Sequence, residues 1–130
     1  MLKTLVASLA VLPTISAFSV ADTISLDCTY QNVLDVERQS NSVTTGNFSA
    51  HVQSTENGIA GAIVKDAWCD PRSGLLSEME ISFACAIDMA GQRFSYTVTF
   101  NRLNSLLEQR FFIGGKLRLI YYGQCKVARK

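Results

Sequence analysis

Apolar and polar side chains alternate with a period of two along most of the chain after residue 22, and helical periodicity is scarce. In the first run Ile24, Leu26, Cys28 and Tyr30 share one face, with Ser25, Asp27 and Thr29 on the other. Residues 31–42 are polar and accommodate a turn, a short helix or a frayed strand. Phe48, Ala50 and Val52 then alternate with Ser49, His51 and Gln53, and Glu56-Asn57-Gly58 is a tight-turn signal. The small and β-branched run Gly58–Val64 reads as a strand.

Asp70-Pro71 and Ser73-Gly74 are turn chemistry, so Asp66–Ser77 is expected to be the longest loop. Beyond it, Met79, Ile81, Phe83, Cys85 and Ile87 form one face, and Ala90-Gly91 turns the chain. Phe94, Tyr96, Val98 and Phe100 form the next face, and Asn101–Asn104 a further turn. Leu106–Ile113 and Lys116–Val127 are strands joined at Gly114-Gly115.

These runs predict an all-β fold. About seven strands joined mostly by short turns form an antiparallel meander. A small roll or up-and-down barrel follows, because closure hides edge strands. An immunoglobulin-like sandwich is the competitor, but its tryptophan between two spaced cysteines is missing: Trp68 directly precedes Cys69.

The first 21 residues break the pattern and read as a signal peptide. Lys3 supplies the positive start, Leu5–Leu12 the apolar run, and Ser19-Val20-Ala21 the small residues before cleavage at Asp22. The apolar run is too short for a membrane span, which needs roughly 20 residues, and no other segment supplies one. Removal of the first 21 of 130 residues leaves 109, a single exported β domain over 22–130, periplasmic or secreted.

Export changes the meaning of the cysteines. Cys28, Cys69, Cys85 and Cys125 all follow the cleavage point, and an even count in an exported chain implies two disulfides. In a closed meander the first and last strands are neighbours, which pairs Cys28 with Cys125 and Cys69 with Cys85. In an unclosed sheet, Cys28–Cys85 with Cys69–Cys125 fits instead.

Charge adds an asymmetry. The exported part carries 11 basic and 11 acidic residues, so it is not a globally basic nucleic-acid binder. Residues 22–92 hold ten acidic side chains against three basic, whereas residues 93–130 hold eight basic against Glu108 alone. Either the second half presents a basic face to an anionic partner, or the two halves pair across one sheet.

Catalytic chemistry finds little support. His51 is the single histidine and sits on an outward strand face, and no G-x-S-x-G elbow occurs. Asp66, Asp70, Glu78 and Glu80 are the candidates for paired carboxylates, in a chain with little room for a deep cleft. There is no C-x-x-C pair and no phosphate-cradling glycine loop, so neither metal nor cofactor is expected. Asn47-Phe48-Ser49 is a glycosylation acceptor only in a eukaryotic secretory pathway.

Two surfaces suit a binding role. Trp68 and Arg72 lie in the cysteine-pinned loop and are residue types that anchor interfaces; alternatively, Trp68 folds back as a lid with Arg72 in water. In the last hairpin, Leu117, Leu119 and Tyr121 facing inward would leave Ile120 and Tyr122 outward among Lys116 and Arg118, a mixed apolar and basic face.

Tyr121-Tyr122-Gly123-Gln124-Cys125-Lys126 at the end, with Leu26-Asp27-Cys28 at the opening, resembles small uncharacterised exported bacterial β-sheet proteins. The resemblance covers about a quarter of the exported chain and implies a periplasmic or secreted β domain without an activity. Bacterial lysozyme inhibitors are similar in size, export and β content, but none of their functional motifs maps onto these residues. The expected function is a non-enzymatic binding module, of the inhibitor or immunity-protein type, whose partner is another protein or an anionic envelope component. A carrier of a small apolar ligand in a lipocalin-like barrel is the alternative, with Phe48, Phe83, Phe94, Tyr96 and Phe100 lining a cavity or filling it. A small hydrolase is the third reading.

Overall fold

The computed structural model describes residues 23–55 and 61–129. The signal peptide and the Glu56-Asn57-Gly58 turn lie outside the described residues.

Among the described residues nine strands follow in chain order: β1 (Thr23–Asp35), β2 (Ser40–Val43), β3 (Asn47–Ser54), β4 (Gly61–Asp66), β5 (Arg72–Leu76), β6 (Glu80–Met89), β7 (Gln92–Asn101), β8 (Leu106–Ile113) and β9 (Lys116–Arg129). Every pairing is antiparallel, and all but β1 with β3 and β1 with β9 join neighbours in the chain. The β1–β9 ladder closes the meander into an eight-stranded barrel, with β2 as an extra edge segment on β1. Closure pairs β1 with β9, the strands that would otherwise be edges of an open roll.

The pattern reading undercounted the strands, for identifiable reasons. Residues 31–42 are the end of β1, a tight turn and β2. The stretch expected to be a loop, Asp66–Ser77, contains β5. Its alternation is hidden because the inward positions opposite Val64 and Ala62 are Arg72 and Gly74, neither of which reads as core. Gly74 is required there: a Cβ would come within 2.7 Å of the Val64 side chain and 3.0 Å of the Ser82 carbonyl. Met79, expected inward, is 56% exposed in the turn before β6.

Inward side chains fill the barrel. Leu26, Val52, Val64, Ile81, Val98, Phe100 and Leu107 are all fully buried. Phe48, Phe83 and Tyr96 join them, so these aromatics are part of the packed core. Two disulfides brace it, Cys28–Cys125 and Cys69–Cys85. The first joins residues directly opposite each other in the closing ladder. The pairing is that of a closed meander, and two such bonds fit an oxidising compartment. Beside Cys125, Gly123 lets β9 approach β1: a Cβ there would sit 2.5 Å from the Thr29 carbonyl oxygen.

Candidate functional site at the aromatic end of the barrel

The two ends of the barrel differ in chemistry. Up-and-down connectivity gathers the start of β1 and the turns before β6 and β8 at one end. The β1–β2 turn, the loop at residues 67–71, Ala90-Gly91 and Gly114-Gly115 gather at the other. Toward this second end the inward positions include an aromatic and polar group, Tyr30, Asp66, Tyr96, Gln109, Phe111 and Tyr121, besides Ile87, Phe94 and Ile113.

Asp66 organises this end. It is the last residue of β4 and takes the inward register of Ala62 and Val64, so its carboxylate is buried. An unpaired buried carboxylate would be costly, yet this one has four donors. Oδ1 accepts from the backbone N–H of Trp68 at 3.0 Å and of Cys69 at 2.9 Å. Oδ2 accepts from Arg72 Nη2 at 2.7 Å and from the Tyr96 hydroxyl at 2.5 Å. Burial alone raises the carboxyl pKa, but the bonds from Tyr96, Arg72, Trp68 and Cys69 outweigh it and hold the group below the usual aspartate value. Tyr96 shifts the opposite way: burial, then its bond to the Asp66 carboxylate, keeps its hydroxyl protonated well above the ordinary tyrosine range.

Arg72 is committed to the wall, neither free in water nor presented as an anchor. Its Nε donates to the Ala84 carbonyl, and its guanidinium carbon lies 5.5 Å from the Phe83 ring centroid. That contact matters because β5 and β6 share only the register pairs Leu75–Ser82 and Leu76–Ile81. Beyond them Arg72 and the Cys69–Cys85 bond hold the seam.

Trp68 is pinned by the same loop. Its ring packs edge-on to Tyr96 at 5.5 Å and against Phe111 at 5.8 Å. It therefore covers the core as a lid, yet remains 51% exposed. Beside it lies a cleft of ≈ 360 Å³, lined by Tyr30, Phe111, Leu119 and Tyr121 and by Thr44–Asn47. Beneath, the Tyr30 hydroxyl donates to Gln109 Oε1, while the buried Gln109 Nε2 has no hydrogen-bond partner among the described residues. Burial raises the Tyr30 pKa as well.

The last hairpin is arranged differently from the sequence expectation. A bulge at Arg118 sets Leu119 beside inward Phe111 but Leu117 beside Phe112, on the outer face of β8. Ile120 does face outward, between Arg110 and Leu34, yet is only 7% exposed, so it offers little contact area. Arg118 and Lys116 turn to Glu37, at 3.0 and 3.9 Å, and Tyr122 is exposed. These ion pairs join the acidic and basic halves of the sequence, as does Arg93 with Asp88 at 4.0 Å.

The other candidates do not assemble. His51 Nδ1 lies 3.1 Å from Ser25 Oγ on the exposed outer wall, where its other neighbour across the ladder is Lys65. Asp70, Glu78 and Glu80 are exposed and apart from the buried Asp66 network. Among the described residues no three His, Cys, Asp or Glu side chains converge as metal ligands would.

Tyr30, Asp66, Tyr96 and Gln109 were not recognisable as one cluster from the sequence. Inward alternation places each of them in the interior, but which interior side chains meet depends on strand stagger.

No protein-family model matches the chain, and no curated protein or solved structure matches it either.

Proposed function

We propose that this chain is a small exported, non-enzymatic module that binds another protein through the aromatic end of its barrel, in the manner of an inhibitor or immunity protein. The single observation that carries the reading is Trp68, a half-exposed indole held rigidly by a disulfide-pinned loop over a filled core. A rigid aromatic at a water-excluding rim loses little entropy on binding and is the residue type that dominates interface energetics. The filled interior favours this over the carrier reading. The full set of donors on Asp66 favours it over hydrolysis, because a carboxylate so engaged is a poor proton shuttle. Export to the periplasm or beyond rests on the N-terminal signal pattern and agrees with both disulfides.

A pull-down from envelope and secreted extracts tests the reading. The oxidised protein should capture a stoichiometric protein that Trp68→Ala loses. Leu103→Ala, at the opposite end where Leu103 is 69% exposed, should retain it. Arg118→Glu separates the last hairpin from the aromatic end: capture lost with Arg118→Glu but kept with Trp68→Ala would move the contact face and refute the proposal.

A further inference from the structure

We infer that the partner is received as an extended peptide strand, added to the free edge of β2 with one large apolar side chain entering the cleft beside Trp68. The inference rests on the binding-module reading and names the form of its partner.

The barrel is closed, but not along its whole height. Among the described residues β2 pairs with β1 alone, and all four of its residues are exposed. Thr44 N donates to the Gln31 carbonyl at 3.0 Å, which makes 44 and 31 a hydrogen-bonded pair. Such pairs alternate in an antiparallel ladder. Ser42 and Ser40 therefore turn their backbone groups to β1, whereas Asn41 and Val43 turn theirs away. The free edge continues into β3, because pairing with β4 begins only at Ala50, opposite Asp66. At that point β4 ends and the chain leaves for the loop that carries Trp68. A strand added here would occupy the lane that β4 vacates.

The same lane borders the cleft. Thr44, Gly46 and Asn47 of that edge line it together with Trp68, Phe111 and Tyr121 of the barrel end. An extended chain paired to the edge alternates its side chains, so every second one faces the barrel end. Main-chain bonds would supply affinity and the aromatic cleft would select the side chain, the division of labour in strand addition. Native edges are usually shortened, charged or covered; β2 is short, at four residues, but it carries no charged side chain and ends in Val43 at 84% exposure.

Random heptapeptides displayed on phage and panned on the oxidised full chain test this directly. Enriched peptides should carry a bulky apolar residue at one position. Val43→Pro removes an edge N–H that bonds nothing in β1, so it should leave the thermal midpoint in place while weakening those peptides at least tenfold. Asn41→Pro should repeat the effect, and so should N-methylation of alternate peptide amides. Peptides that bind Val43→Pro and Asn41→Pro like the parent, yet are lost with Trp68→Ala, would overturn strand addition and leave the aromatic end as the contact face. Peptides indifferent to all three substitutions, or no enrichment, would count against both. A dimer of the parent chain abolished by Val43→Pro would assign the edge to a second copy and overturn the inference.

Discussion

Asp66 and Arg72 face each other across the loop that carries Trp68, Oδ2 to Nη2 at 2.7 Å, so a buried ion pair and an exposed indole are positioned by the same stretch of chain. The Trp68 backbone cannot shift without disturbing the bond from its own N–H to Asp66 Oδ1, and its ring is packed on Tyr96 and Phe111. Rigidity at the candidate contact face is therefore bought from the barrel interior.

Replacing Asp66 by Ala should be among the most damaging single substitutions. It strands the Tyr96 hydroxyl and leaves the largely buried Arg72 without its counter-charge. Breaking one side of such a pair costs about 3–5 kcal/mol. Urea unfolding should show a lower midpoint, and Trp68 emission in the folded baseline should shift to the red as the loop loosens.

Stability against pH should form a plateau. The Asp66 pKa is depressed in the folded state, so its contribution is present above the unfolded aspartate value and fades as pH falls below about 4. Tyr96 and Tyr30 have raised values, so their contribution is present below the unfolded tyrosine value and fades as pH rises past about 10. Thermal midpoints across pH 2–11 check both limits.

The fold was largely legible because alternation survives wherever the inward residues are apolar. It failed at β5, where an arginine and a glycine occupy the inward positions, and at Leu117, where the bulge at Arg118 reverses the face. The disulfide pairing was legible only once closure was assumed, since adjacency of first and last strands is a topological fact. Trp68 stood out as a rigid aromatic near a cysteine. The wall position of Arg72 is not legible, because an arginine after Asp-Pro in a polar stretch suits a contact surface or water equally, and nothing local reveals a buried acid six residues earlier. The Ala62, Val64, Asp66 alternation was the available clue.

The two disulfides should contribute unequally. Cys28–Cys125 spans 97 residues and Cys69–Cys85 spans 16. Loop-closure entropy assigns about 4.7 kcal/mol to the long bond and about 3 to the short one. Paired Cys→Ala variants should rank in that order by denaturant midpoint. Removal of Cys69–Cys85 should in addition loosen Trp68.

Gly123→Ala should weaken the closing seam, because its methyl group would press on the Thr29 carbonyl. Overpacking of this kind costs roughly 1–3 kcal/mol. Amide exchange should rise first in β1 and β9, and uniform exchange across the barrel would argue against a local clash.

Trp68 is the single tryptophan of the chain, so its emission reports the proposed contact face without a label. The most direct test is to titrate the oxidised protein with the partner it captures and to follow that emission and its quenching by acrylamide. Burial of the indole predicts a blue shift and loss of quenching that saturate together at one partner per chain. Saturable binding that leaves Trp68 emission and quenching unchanged would place the contact elsewhere and contradict the account.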